Sequence, residues 1–109
     1  MTDATPGTVR VETTTDTQSE AERLAASLVE ANLAACVQVT GPITSFYRWE
    51  GHVHNDPEWL LVVKTATDRL DAVVAHLRQH HSYEVPEVVA VPVIGGNPDY
   101  LTWVTTETR

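Results

Sequence analysis

The run Glu58-Trp59-Leu60-Leu61-Val62-Val63-Lys64-Thr65 limits the fold of this chain more than any other stretch. It has strand length, but it does not alternate apolar with polar residues. Leu60 and Val62 fall on one face, and Trp59, Leu61 and Val63 on the other, so both faces need cover. The preceding arm, residues 35–50, is rich in β-branched and aromatic side chains. Between the arms, Gly51-His52-Val53-His54-Asn55-Asp56-Pro57 carries turn chemistry: a glycine, an Asn-Asp pair and a proline. The pair reads as one long β-hairpin. Few helices remain to cover it, so one face is expected to be covered by other copies of the same protein.

The rest of the chain falls into place around this hairpin. Met1 to Gly7 reads as a flexible N-terminal tail, and residues 8–109 as a single domain. Val9, Val11 and Thr13 alternate with Arg10, Glu12 and Thr14, which predicts a first strand. Thr17 and Glu20 form a capping-box signature, followed at helical spacing by Ala21, Leu24, Ala25 and Leu28, with Asn32 as the stop. After the hairpin, Thr65 or Thr67 is expected to cap a second helix carrying Leu70, Val73, Val74 and Leu77, with Pro86 as its outer limit. Residues 87–94 read as a fourth strand, apolar on both faces. Asn97-Pro98-Asp99 then opens a short C-terminal helix as N-cap, proline at the first helical position and acidic first turn.

This order predicts an α+β fold, the ferredoxin-like βαββαβ sandwich with a long hairpin and a terminal helix. The prolines agree with it. Pro42 and Pro92 fall in the strands that form the two sheet edges, where a missing N–H is tolerated. Both main helices cover one sheet face, which leaves the other as an apolar surface too large for a monomer and predicts a homo-oligomer.

Charge narrows the partners. Seven Lys and Arg against fifteen Asp and Glu give a net charge of -8, which repels nucleic-acid phosphates and anionic membrane and suits cations. The single cysteine, Cys36, rules out an intrachain disulfide framework and reads as a buried small hydrophobe. No apolar run reaches transmembrane length and no signal-peptide pattern opens the chain, so the expected location is cytoplasmic.

No phosphate loop, dinucleotide fingerprint, nucleophile elbow or zinc-protease helix is present, and no enzyme is expected. His76 and His80 stand i, i+4 on the second helix, a spacing that puts two imidazoles on one face as divalent metals favour, and His81 follows directly. The bland alternative is a set of solvated histidines at a helix end, where a cation also complements the dipole. A second constellation joins Tyr47, Trp49, Glu50 and Lys64 with Tyr83, Glu84 and Glu87. Aromatic rings beside carboxylates and a lysine suit a small-ligand cleft, or equally an interface.

Several separated motifs in order carry a resemblance to a known family. They are Ala34-Ala35-Cys36-Val37, Ile43 to Gly51, Val63-Lys64-Thr65, His80 to Glu87, and Gly95 with Asn97, Asp99, Tyr100, Leu101 and Trp103. Together they resemble CutA, the divalent-cation tolerance family, from about Val9 to Val104. The resemblance implies a trimer with interlocked hairpins, an assembly similar to the PII signalling proteins, and a cytoplasmic role in tolerance of copper and other divalent cations without catalysis. It places copper ligands on His80 and His81 and on a first-strand cysteine. Thr13 stands at that cysteine position, which removes the soft ligand and leaves an imidazole site suited to Cu(II), Zn or Ni. No cofactor is expected to be obligatory.

Two functions therefore stand side by side. One is a trimer binding divalent cations through His80 and His81, with Glu84 or Glu87 as oxygen ligands. The other is a PII-like trimer with small-molecule or partner clefts between subunits.

Overall fold

The computed structural model describes residues 6–109. Of the expected tail, Met1 to Thr5 lie outside the described residues, and the Gly7 carbonyl accepts a hydrogen bond from the Thr67 N–H at 2.7 Å. The elements run β1 (Thr8–Thr15), α1 (Gln18–Glu30), β2 (Cys36–Trp49), β3 (His52–Ala66), a 3₁₀ turn (Thr67–Arg69), α2 (Leu70–His80), β4 (Val89–Val93) and α3 (Pro98–Thr106). The strands form one antiparallel sheet in the order β2-β3-β1-β4. Pro42 and Pro92 lie on its two edge strands, as their missing N–H groups require.

The first helix starts where its cap dictates. Thr17 Oγ1 accepts from the Glu20 N–H at 3.1 Å, while the Glu20 carboxylate is held by Arg23 rather than turning back, so half of the expected box forms. Asn32, with φ 57, carries the chain out of the helix through a left-handed step. Neither threonine caps α2 as expected. Thr65 Oγ1 instead donates to the buried Leu33 carbonyl at 2.7 Å, and a 3₁₀ turn at Thr67 leads into the helix. The C-terminal helix does follow its signature: Asn97 Oδ1 accepts from the Asp99 N–H at 3.1 Å, with Pro98 at the first position.

The hairpin differs from expectation in its turn. The chain reverses at Glu50-Gly51, both with positive φ (50 and 82), and His52 to Pro57 continue as strand. Two positive φ values are the mark of a two-residue turn whose twist matches the strands, and Gly51 adopts one without steric cost. Pro57 is therefore internal to β3, although β1 pairs with β3 only over 59–66, so Pro57 lies where β3 has a free edge. The fourth strand is also shorter than expected, covering Val89–Val93.

Both α1 and α2 lie on one sheet face. Val9, Val11, Leu61 and Val63 meet Ala21, Leu24, Leu28, Val73 and Leu77 in a single core. The opposite face carries Arg10, Glu12 and Thr14 beside Lys64, Val62 and Leu60, flanked by Val89 and Val91. α3 covers one end of that face, with Val104 and Thr108 fully buried and Arg109 bound to Asp68 at 2.6 Å. Val89, Val91 and Trp103 remain more than two-fifths exposed, and Ile94 almost wholly so.

Candidate functional site

A cleft of about 750 Å³ opens where the hairpin leaves the sheet. One wall comes from β2 and β3, with Phe46 and Arg48 at its border and Ser45, Tyr47, Trp49 and Glu58 along it. The latter four share a strand face, because Tyr47 sits opposite His54, Trp49 opposite His52 and Glu58 opposite Ile43. The other wall is the segment between α2 and β4, from Ser82 through Tyr83, Glu84 and Val85 to Glu87, and Thr14 of β1 borders the cleft as well. Pro86 within that segment keeps Val85 extended, which fixes the wall's course.

Two tyrosines are pinned by carboxylates. The Tyr83 hydroxyl donates to Glu58 Oε2 at 2.8 Å, and the Tyr47 hydroxyl to Asp56 Oδ2 at 2.5 Å. Burial, then the Glu58 bond, pushes the Tyr83 phenol well above its ordinary value, and the Asp56 bond raises that of Tyr47. Burial also raises the Glu87 carboxyl, with further contributions from Glu12 and Glu58. Both phenols remain neutral donors at neutral pH, and the region around Glu87 is negative.

Five of the seven expected cleft residues come together: Tyr47, Trp49, Tyr83, Glu84 and Glu87. Two do not line it. Glu50 belongs to the hairpin turn, and Lys64 lies down β3, where its Nζ donates to Gln38 at 2.7 Å.

The fold separates His80 from His81. His81, one residue beyond α2, has extended backbone (φ -71, ψ 143) and is only 9% exposed. Its Nδ1 accepts from the Tyr83 N–H at 3.0 Å, so its Nε2 must carry the proton and donate to the Thr14 carbonyl at 2.8 Å. Neither nitrogen keeps a lone pair for a metal in this arrangement. His80 stays exposed, its ring centroid 4.5 Å from that of His76. His76 Nε2 lies 2.9 Å from Ser27 Oγ, and burial, then His80 and Arg23, lower its pKa, which favours neutral imidazole. No three His, Cys, Asp or Glu side chains converge on a metal position among the described residues.

Sequence reasoning missed Glu58 and Thr14 in the cleft. The Glu58–Tyr83 bond spans twenty-five positions, and no local pattern announces it. Position 58 offered one signal, a carboxylate opening an otherwise apolar strand.

Residues 9–107 match the family described as CutA1 divalent ion tolerance protein. This chain belongs to that family. A chloroplastic CutA 1 from Oryza sativa is 43% identical over 108 residues, 99% of this chain and 61% of the relative. A CutA from Thermus thermophilus is 42% identical over 95 residues, 87% of this chain and 92% of the relative. The chain spans about half of a chloroplastic CutA from Arabidopsis thaliana, 48% of its length. Among solved structures, CutA1 from Oryza sativa superposes with a TM-score of 0.94 at 42% identity, covering 98% of both chains. The CutA1 structure from Thermus thermophilus gives 0.91 at 40% identity, covering 94% of this chain and 99% of that one.

Within the CutA frame the names of the family and of its relatives speak of tolerance rather than of catalysis. They differ in place: the plant relatives are called chloroplastic, and a structure from Archaeoglobus fulgidus is called periplasmic. No helix among the described residues is long and apolar enough to cross a membrane. Thr13, where the resemblance places a cysteine, is fully buried and its hydroxyl has no hydrogen-bond partner.

Proposed function

We propose that this CutA-family chain works in divalent-cation tolerance as a cytoplasmic homotrimer that binds divalent metal ions, copper and zinc foremost, and catalyses no reaction. The observation that carries the cation reading is the His76–His80 pair, two imidazoles 4.5 Å apart on α2 in a protein of net charge -8. Depression of the His76 pKa supplies the neutral ring that ligation needs. With Thr13 in place of a thiolate, the donor set suits Cu(II), Zn or Ni. The half-covered sheet face and the family resemblance support the trimer. Calorimetric titration with Cu(II) and Zn(II) tests the reading. Saturable binding that is lost in His76→Ala/His80→Ala and kept in His81→Ala is expected, and binding unchanged by the double substitution sinks it.

A second reading, a PII-like trimer with small-molecule or partner clefts between subunits, is supported by the cleft of about 750 Å³ that each chain brings to it, a size that takes a drug-like ligand. An organic ligand that raises the melting temperature, and does so no longer in Trp49→Leu, is the outcome this reading requires.

A further inference from the structure

We propose that the cleft between the hairpin and the Ser82–Glu87 segment takes a small organic cation, an amine or quaternary ammonium with an apolar body. This rests on the second reading above and names its ligand class. Three carboxylates border the cleft, Glu58, Glu84 and Glu87, against one cation, Arg48. Arg48 alternates with Tyr47 and Trp49 along β2 but still borders the cleft, so carboxylates outnumber the cation there by two. The cleft is therefore acidic and aromatic together.

The rings are arranged for such a guest. Trp49 is 47% exposed, and among the described residues its ring pairs with no other aromatic side chain. Tyr47 is held on one side by His54, with ring centroids 5.3 Å apart and planes 18° from parallel. Tyr47 and Tyr83 donate their protons to Asp56 and Glu58, and a phenol that donates to a carboxylate is richer in π density. Cations bind such faces, Trp best of all, and gain further where carboxylates complete the cage. The raised carboxyl of Glu87, crowded by Glu12 and Glu58, has repulsion that a bound cation relieves. An anionic guest would meet three carboxylates against the single Arg48.

The test is calorimetry of the full-length chain with benzyltrimethylammonium, beside benzyl alcohol and benzoate as neutral and anionic counterparts. The variants are Trp49→Leu and Glu84→Gln/Glu87→Gln, each first matched to the parent in circular dichroism. Saturable binding of the cation, weakened about tenfold or more in both variants and for both counterparts, is the expected result. Benzoate or benzyl alcohol binding as tightly as the cation, and lost in Trp49→Leu, keeps the cleft as a ligand site and overturns the cation chemistry. Binding of the cation unchanged in both variants places it elsewhere and overturns the proposal. Failure of all three probes to bind overturns the proposal and the cleft reading together.

Discussion

His81 Nε2 donates to the carbonyl of Thr14 at 2.8 Å, tying the end of α2 to the strand that borders the cleft. Its other nitrogen accepts from the Tyr83 N–H, and the Tyr83 ring lies 4.9 Å from the imidazole. One buried side chain thus positions the far wall of the cleft. Replacing it by leucine leaves a buried carbonyl and an N–H unpaired, and a loss of about 1–3 kcal/mol is expected in denaturant unfolding. A His81→Leu protein as stable as the parent contradicts this structural role.

The Thr13 hydroxyl is buried without a partner on the strand face that packs against α1 and α2. Valine has nearly the same shape without the unsatisfied group. Thr13→Val should therefore raise stability by about 1 kcal/mol, read as a higher melting temperature. A lower melting temperature means that the hydroxyl has a partner.

Gly41 lies beneath Trp59. A Cβ at position 41 would come within 2.5 Å of the indole Cδ1 and 3.0 Å of the Glu58 carbonyl oxygen. Gly41→Ala must displace the indole and strain the strand, at a cost of about 1–3 kcal/mol. Equal chemical denaturation midpoints for variant and parent would refute this packing.

The Glu87 carboxyl is held above its ordinary value by burial and by Glu12 and Glu58. A carboxyl with a raised folded pKa binds its proton more tightly in the folded chain, so ionisation opposes folding. The penalty is absent below the unfolded value of about 4.3 and grows as pH rises through the window above it. Glu87→Gln should raise the melting temperature at pH 7 and leave it unchanged at pH 4. An equal gain at both pH values would rule out the electrostatic cause.

Most of the fold was legible in the sequence because most elements carried their own period, and two helices their own cap. Thr17 with Glu20, and Asn97 with Pro98, mark helix starts that the structure uses. The hairpin turn was misplaced for a physical reason. Residues 52–57 are exposed on both faces, so no burial alternation marks them as strand, and Asn55, Asp56 and Pro57 imitate a turn. The decisive feature, positive φ at Glu50 and Gly51, is announced only by the glycine. In the site, the aromatic and acidic cluster was visible as composition, while the inward turn of His81 was not. Adjacent histidines look alike in sequence, and the end of α2 after His80 sends the two rings in different directions.

On the half-covered sheet face, Val89 and Val91 lie open in the single chain. The direct measurement is the mass of the untagged protein in solution at micromolar concentration, by light scattering behind size exclusion. A particle of three chains, each 12.0 kDa, is the predicted result. A single-chain mass at that concentration would contradict the account, because nothing would then cover that face.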